Sequence, residues 1–216
     1  MPKVVDHAKR RQDFIEAACE TILERSLEGT TVRAVAERAG YTTGALVHYF
    51  GDKEELIQQA LNHFGDQVRT RMVDVKQTSR GRAALRQLML QALPADRASA
   101  GRWRAWVAMW HRSETSAEMR KEEQRRYREW LGRIGDTLKE SVEDGELPQS
   151  IRIEEEARAI AALGDGAGVQ YLMAGARGSR KGVTGLVDRY LGRLYGSAHM
   201  QGDASEQQVE DGRTRS

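Results

Sequence analysis

Cysteine and clustered histidine are nearly absent from this sequence of 216 residues. A single cysteine, Cys19, cannot form an intramolecular disulfide and excludes a cysteine-based metal site. The five histidines stand far apart and show none of the spacings that metal ligands need. We therefore expect no metal site and no bound cofactor.

Proline and long apolar runs are scarce as well. The three prolines leave most of the chain able to form helices, because proline breaks a helix more strongly than any other residue. No apolar stretch approaches the roughly 20 residues that cross a bilayer, and the first residues lack the apolar segment of a secretory signal. We expect a cytoplasmic protein without a membrane partner.

Charge of one sign is not in excess, since the net charge is only +2. Residues 1–56 contain eight Lys and Arg against ten Asp and Glu, a local balance of −2. Overall electrostatics therefore do not indicate nucleic-acid binding, which has to be argued from where individual charges lie. The first eleven residues carry four basic side chains, which fit either an arm that contacts phosphates or a solvated terminus.

Catalytic signatures are lacking too. His111, Ser113 and Glu114 lie close in sequence, but they have no evident orienting partner, and no phosphate-binding loop occurs. We expect no catalytic residues and no enzymatic activity.

What the sequence does contain is helical periodicity along most of its length. This pattern, without strand-like alternation or a fixed repeat, predicts an all-α fold of about nine helices. The predicted helices cover residues 8–28, 32–39, 42–50, 53–76, 82–93, 98–114, 116–143, 153–176 and 182–197. The tail over residues 199–216 has few apolar residues and is predicted to be disordered.

The segment around Gly40 predicts a helix-turn-helix. Two helices of about eight residues meet at Gly40, which tolerates a positive φ, and Ala36 is small enough for a close crossing. Helix N-termini at Thr31, Thr43 and Lys53 offer free N–H groups to phosphates. The outward face of the second helix presents groups suited to a major groove, from Thr42, Thr43, Ala45, His48 and Tyr49. The same pattern also fits a three-helix protein-interaction module with a solvated polar face.

The run TTVRAVAERAGYTTGALVHYFGDKEEL resembles the N-terminal domain of TetR-family transcriptional repressors. The resemblance implies base-facing positions for Arg33, Thr43 and Ala45. It implies phosphate contacts for His48, Tyr49 and Lys53. The predicted set of DNA-binding residues is completed by Thr31, Thr42, Gly44 and Val47. The family commonly has an aromatic residue at the position of Val47, so this valine is expected to contact either a thymine methyl or the core.

An aromatic stripe follows in the C-terminal part of the chain, where three tryptophans share one helix face. Such a stripe is either core packing or the wall of a ligand cavity, which would suit a flat apolar molecule or a cation. Asp165 lies among small and apolar residues, where it would attract a cationic ligand or serve as a paired structural carboxylate. The predicted ligand-binding residues are Trp103, Trp106, Met109, Trp110, Tyr127, Trp130 and Asp165.

The stretch WRAWVAMWHRSETSAEMRKEEQRRYREWLGRIGDTLKESVEDGELP is similar to the C-terminal domain of BetI-like members of the same family. The resemblance implies a small-molecule effector, and some relatives respond to choline-type cations. It also implies a dimer built from the last two helices. Small and apolar residues at 3–4 spacing predict that interface, formed by Ala157, Ile160, Ala161, Gly164, Gly168, Val169, Leu172, Leu186, Tyr190 and Leu194.

The sequence as a whole predicts a homodimeric, ligand-responsive repressor that binds a palindromic double-stranded DNA operator and is released by a small molecule. The effector is expected to be partly apolar or cationic. Residues 1–52 would form the DNA-binding domain, and residues 53–198 the ligand-binding and dimerisation domain, connected through the helix over 53–76. A transcriptional activator and a helical interaction module without DNA binding are the alternatives.

Overall fold

The computed structural model describes residues 6–114, 116–175 and 179–213, which form nine α-helices and contain no β-strand. The all-α prediction is therefore confirmed for these ranges. The helices are α1 His7–Arg25, α2 Val32–Ala39, α3 Thr43–Phe50, α4 Lys53–Thr78, α5 Gly81–Ala92, α6 Arg97–Ser113, α7 Ala117–Glu143, α8 Ile153–Ala174 and α9 Arg180–Arg213. Within the described ranges, no helix combines the length and the hydropathy that a bilayer crossing needs.

Side-chain caps fix where the first four helices begin. The first free N–H groups of a helix need an acceptor, and a short polar side chain just before the helix supplies one. The capping residues are Asp6, Thr31, Thr42 and Asp52, each accepting from the N–H three residues later at 2.8 to 3.2 Å. These starts are therefore encoded locally.

Glycines end the two short helices. Gly40 has a φ of 74° and Gly51 a φ of 66°, in the region that residues with a Cβ rarely adopt. Gly51 also donates its N–H to the carbonyl of Val47 at 2.8 Å. Helix α3 is thereby limited to eight residues.

Helix α1 ends at Arg25, three residues before the predicted end at residue 28. Ser26 adopts a φ of 65°, and buried Thr30 donates a hydrogen bond from Oγ1 to the Ser26 carbonyl at 2.7 Å. A Cβ at Gly29 would clash with the Arg25 carbonyl oxygen. Gly29 therefore serves the turn that follows α1 and does not itself end the helix.

The chain divides into two compact units. The first comprises Met1–Thr70 and Asp96–Ala117, and the second comprises Arg71–Ala95 and Glu118–Ser216. The sequence predicts a different boundary, after residue 52, with α6 in the C-terminal domain. Helix α6 belongs to the first unit because it packs on α1, where a Cβ at Gly101 would lie 2.6 Å from Leu23 Cδ2.

An aromatic cluster forms the core around the helix-turn-helix. Phe14 of α1 is fully buried and contacts Tyr41, Tyr49 and Phe50, with ring centroids 5.0, 5.9 and 6.0 Å away. Burial of one such large apolar side chain contributes about 1.5–3 kcal/mol. Isolated helices as short as α2 and α3 are not stable in water, so this core holds them.

The second unit packs α5, α7, α8 and α9 around an aliphatic core. Helices α5 and α8 both contact α9, and a buried hydrogen bond of 2.7 Å joins Ser141 Oγ of α7 to the Tyr195 hydroxyl of α9. The buried side chains include Leu85, Leu88, Met89, Ile134, Leu138, Ile160, Val187 and Leu191.

Part of the predicted dimer surface lies inside the second unit. Ala157, Ile160, Ala161, Gly164 and Gly168 are buried within the single chain, and a Cβ at Gly164 would approach Met89 Cε to 3.3 Å. This finding corrects the prediction for these five residues, because they pack against the chain's own helices. The other predicted residues are half-buried, namely Val169, Leu172, Leu186, Tyr190 and Leu194.

Helix α9 continues to Arg213, whereas the sequence predicts its end at residue 197 and a disordered tail from residue 199. The segment has no proline and several Glu and Gln, which are good helix formers, so its low apolar content does not by itself end the helix. Residues 214–216 and the predicted end of α8 at residue 176 lie outside the described ranges.

Candidate nucleic-acid interface

Helix α3 turns one face to the core and the opposite face to solvent. Leu46 and Phe50 are fully buried, and α3 contacts α2. The predicted DNA-facing residues lie on the other side: Thr42, Thr43, Gly44, Val47 and His48 are exposed, and Ala45 and Tyr49 are half-buried. The structure therefore brings these seven residues together on one accessible surface.

Val47 lies on this surface with 47% of its area exposed. The sequence leaves open whether the valine contacts the core or a thymine methyl, and the exposed position leaves its methyl groups accessible to a partner. Its branched methyl groups are apolar and lack a hydroxyl. Val47 can therefore meet an apolar base edge but cannot donate a hydrogen bond to a phosphate.

Helix α2 contributes Thr31 and Arg33. The Thr31 hydroxyl caps the helix by accepting from the N–H of Ala34 at 3.2 Å. Arg33 Nε donates to Glu37 Oε1 at 2.8 Å, and both side chains are largely exposed. The hydrogen bond and the charge of Glu37 raise the pKa of Arg33. Exposed pairs of this kind contribute little stability, so Arg33 can exchange Glu37 for a base or a phosphate.

Lys53 is the first residue of α4 and is half-buried. It follows Gly51, where α3 ends, by only two residues, and Asp52 caps α4 by accepting from the N–H of Glu55 at 2.8 Å. The start of α4 therefore places a positive charge and a helix N-terminus next to the end of α3, an arrangement that attracts phosphate.

His7 and Arg11 of α1 belong to the same surface. The sequence does not predict His7 as a site residue, and Arg11 is one of the four basic residues of the possible phosphate-contacting arm. The Tyr49 hydroxyl lies 2.8 Å from His7 Nδ1. Arg11 donates from Nη1 to the Tyr49 carbonyl at 2.8 Å and lies over the Phe50 ring, 4.5 Å from its centroid. These contacts span 38 to 42 positions of sequence, so no local pattern reveals them. Lys3 of the predicted basic arm lies outside the described ranges.

The aromatic stripe of α6 is partly core and partly accessible. Trp103 and Met109 are buried, whereas Trp106 and Trp110 are half-buried. The Trp106 ring lies 4.8 Å from that of Trp103 and 4.5 Å from that of Trp110, each in an edge-on arrangement. The structure thus confirms that the three tryptophans form one group, which belongs to the first unit.

Tyr127, Trp130 and Asp165 belong to the second unit, so the predicted ligand residues fall into two separate groups. Asp165 is half-buried, and burial raises its pKa to about 6. Burial, followed by the charge of Asp165, raises the pKa of Tyr127. Among the described residues, Asp165 has no hydrogen-bond or ion-pair partner, and no group of three or more His, Cys, Asp or Glu could hold a metal ion.

A short exposed helix, bounded by glycines and backed by a second short helix, defines a helix-turn-helix DNA-binding regulator. The comparisons with known families identify which one. Residues 14–60 match the bacterial regulatory proteins of the tetR family, and residues 81–196 match the C-terminal domain of BetI-type transcriptional repressors. The chain belongs to the TetR family of transcriptional regulators, with a BetI-type C-terminal domain.

Individual relatives agree with this assignment. The HTH-type transcriptional regulator BetI of Burkholderia mallei is 29% identical over 199 residues, covering 90% of this chain and 97% of BetI. The regulator PksA of Bacillus subtilis is 34% identical over 109 residues, so that this chain spans about half of PksA, 53% of its length. A Saccharomonospora viridis protein solved in complex with choline has the same fold, with a TM-score of 0.78 at 20% identity, covering 85% of this chain and 96% of that protein.

Proposed function

We propose that this chain is a homodimeric repressor that binds a palindromic DNA operator and releases it when a small molecule binds. The observation that supports the proposal is the exposure of a polar face on α3. This helix lies between Gly40 and Gly51, and its buried Leu46 and Phe50 hold it against the core. A helix of this kind fits a major groove. Two copies related by a twofold axis would read half-sites about one helical turn apart. Such a regulator works on bacterial DNA in the cytoplasm.

The residues of the interface are proposed to divide into two roles. Base contacts are assigned to Arg33, Thr43 and Ala45, with Val47 against a thymine methyl. Phosphate contacts are assigned to Thr31, Thr42, Gly44, His48, Tyr49 and Lys53. Their exposure or partial exposure supports the assignment, because each can reach DNA without unfolding the core. Base contacts select the sequence, and phosphate contacts fix the position on the duplex.

The dimer contact is proposed to lie on the outer side of α8 and α9. Ala159, Ala162 and Gly166 are exposed at 3–4 spacing on α8, and Met173 is 82% exposed. A Cβ at Gly166 would meet no atom within 4 Å, so a partner helix can approach closely there. The half-buried border of this surface is Val169, Leu172, Leu186, Tyr190 and Leu194. Two such pairs of helices would form an isologous four-helix interface.

The effector is proposed to be a small cation with an apolar part. A half-buried carboxylate without a partner is unfavourable, and a cationic ligand would neutralise Asp165. Tyr127, whose pKa is raised by burial and by the charge of Asp165, is proposed to add a cation–π contact. Choline, which is bound to the Saccharomonospora viridis protein, has this chemistry. The half-buried Trp106 and Trp110 in the first unit are proposed to report binding through their fluorescence.

Helix α4 is proposed to couple the effector to DNA binding. It contributes residues up to Thr70 to the first unit and residues from Arg71 onward to the second. An effector that binds better to a geometry in which the two α3 helices no longer match adjacent grooves would lower operator affinity. A coupling free energy of about 1–3 kcal/mol is typical of such systems.

The test is selection of a duplex from a random pool by the wild-type protein, followed by gel shifts on that duplex and on the DNA upstream of its own gene. We expect a sequence-selective shift that weakens with salt. Lys53→Ala should weaken binding to every duplex alike and reduce the slope of log K against log salt by about 0.9 for each phosphate that the lysine neutralises. Thr43→Ala should instead change base preference at one position by about 1–3 kcal/mol.

Two outcomes would contradict the proposal. Without any salt-sensitive and sequence-selective shift, the chain would be a helical interaction module. If Lys53→Ala and Thr43→Ala behaved identically, the division of roles would be wrong. A reporter gene behind the selected duplex separates a repressor from an activator, because loss of the protein raises expression in the first case and lowers it in the second.

A further inference from the structure

His7 and Tyr49 form a contact between the first residue of α1 and the penultimate residue of α3. The Tyr49 hydroxyl and His7 Nδ1 are 2.8 Å apart, and the two rings lie 5.8 Å apart at an angle of 44°. His7 is exposed and Tyr49 is half-buried. The imidazole is therefore at the edge of the surface that α3 presents to DNA.

The direction of this hydrogen bond depends on the charge of the imidazole. In neutral histidine with the proton on Nε2, Nδ1 is an acceptor, so the Tyr49 hydroxyl uses its proton within the pair. In imidazolium both nitrogens donate, and Nδ1–H then donates to the Tyr49 oxygen. The phenol proton is released for another acceptor, and the ring carries a positive charge.

The other charged groups around the pair are engaged in contacts of their own within the protein. On α1, Asp6 accepts from the N–H of Lys9 at 2.9 Å as the helix cap. Arg11 is held by the Tyr49 carbonyl and, at 3.5 Å, by Glu55 of α4.

Two further charged or titratable side chains belong to the described surroundings of the pair. The Arg10 guanidinium of α1 lies over Tyr41, 4.9 Å from the ring centroid. On α3, the His48 ring lies 5.6 Å from that of Tyr49. Among the described residues, His48 is a second histidine in contact with the pair, so an experiment has to separate the two histidines.

We propose that His7 binds the DNA backbone together with Tyr49, and that DNA binding takes up a proton on His7. The inference rests on the proposed phosphate contact of Tyr49. A phosphate near the pair favours imidazolium over neutral imidazole by its charge. Imidazolium in turn lets both the Tyr49 hydroxyl and His7 Nε2–H donate to phosphate oxygens, as charge-assisted bonds for the histidine.

The experiment measures dissociation constants by fluorescence anisotropy with the labelled duplex selected by the wild-type protein, at pH 6 and pH 8 and at several salt concentrations. Histidine changes charge in this range. We expect His7→Gln to lose about tenfold in affinity at pH 6 and much less at pH 8. It should also reduce the salt slope by about 0.9 per protomer at pH 6.

Two further variants separate charge from hydrogen-bond direction. His7→Lys carries a constant positive charge, so it should keep the salt slope and lose the His7-dependent change with pH. Tyr49→Phe lacks the hydroxyl, so His7→Gln should have a smaller effect in that background than in the wild type. The comparison of His7→Gln with wild type isolates the contribution of His7, because every other histidine is present in both proteins.

The matched control is His63→Gln on α4, where the imidazole contacts Gln67 at 2.9 Å. This variant should keep the wild-type pH dependence and salt slope. Thermal melting by circular dichroism establishes that every variant is folded. If His7→Gln matches wild type, or loses affinity equally at both pH values with an unchanged salt slope, His7 does not bind the backbone. Failure of the wild-type protein to bind any duplex would instead contradict the proposed function.

Discussion

In the first unit, the helix-turn-helix is built from two helices of eight residues each, whereas α7 and α8 of the second unit have 27 and 22 residues. The short helices depend on a single aromatic cluster around Phe14. The long helices share an aliphatic core. Ion pairs also join helices of this unit, such as Lys76 of α4 with Glu140 of α7 at 2.7 Å and Arg86 of α5 with Asp188 of α9 at 2.6 Å.

This difference determines where each unit is sensitive to change. A short helix gains little from its own hydrogen bonds, so loss of one buried ring removes much of what holds α3. A long helix tolerates such losses better, and its function depends on which face it leaves exposed. In the first unit, a change in the core should therefore disturb the fold of α3. In the second unit, a change on the exposed face should instead disturb the proposed dimer contact.

The largest effect is expected for Phe50→Ala. Phe50 is fully buried, and removal of a buried phenylalanine ring lowers the free energy of unfolding by about 3–5 kcal/mol. Urea denaturation followed by circular dichroism measures the loss, and gel shifts measure the accompanying loss of DNA binding.

Val47→Ala is the matched control, three residues earlier on the same helix. Its side chain is exposed, so stability should change by no more than about 0.5 kcal/mol. Equal losses in the free energy of unfolding for the two variants would show that α3 does not depend on the aromatic cluster. The contrast between the two units would then disappear.

The next effect is expected for Gly166→Glu on the outer side of α8. A Cβ there would meet no atom within 4 Å, so the chain should stay folded while the charge disrupts the proposed dimer contact. We expect dimer affinity to fall by about 2 kcal/mol or more, which sedimentation measures as an increase in monomer.

Gly164→Glu is the comparison, two residues away on the buried side of the same helix. Its Cβ would lie 3.3 Å from Met89 Cε, and a charge buried without a partner is strongly unfavourable, so this variant should unfold the second unit. If Gly166→Glu remained dimeric, the outer side of α8 would not be the interface.

These two glycines illustrate how far the sequence can predict the structure. Caps and glycines are local signals, and they predict α2 and α3 to within one residue. Local sequence does not tell which side of α8 faces the core, because both sides carry small residues at helical spacing. Gly164 is on the buried side, where a Cβ would lie 3.3 Å from Met89 Cε of α5. The contact of His7 with Tyr49 is invisible in the sequence for the same reason, since tertiary folding alone brings these residues together.

The smallest effect is expected for Asp165→Asn, which tests whether the second unit keeps an unfavourable carboxylate for a ligand. Burial raises the pKa of Asp165 to about 6, above its value in the unfolded chain, so between these two values the folded state binds more protons than the unfolded state. Stability contributed by the neutral carboxyl is present at low pH and is lost as the pH rises through about 6.

Asp165→Asn cannot ionise, so it should be more stable than wild type at pH 7 by about 1 kcal/mol, because partial contact with water reduces the effect. At pH 4 the two proteins should be nearly equal, as urea denaturation at both pH values would measure. A variant that is less stable at pH 7 would mean that the carboxylate has a stabilising partner within the protein.

Calorimetry with choline adds the functional comparison: if choline binds the wild type, the variant should lose that binding while keeping its stability. A carboxylate that lowers stability in the free protein but is needed for the ligand would show that the second unit gives up stability for binding.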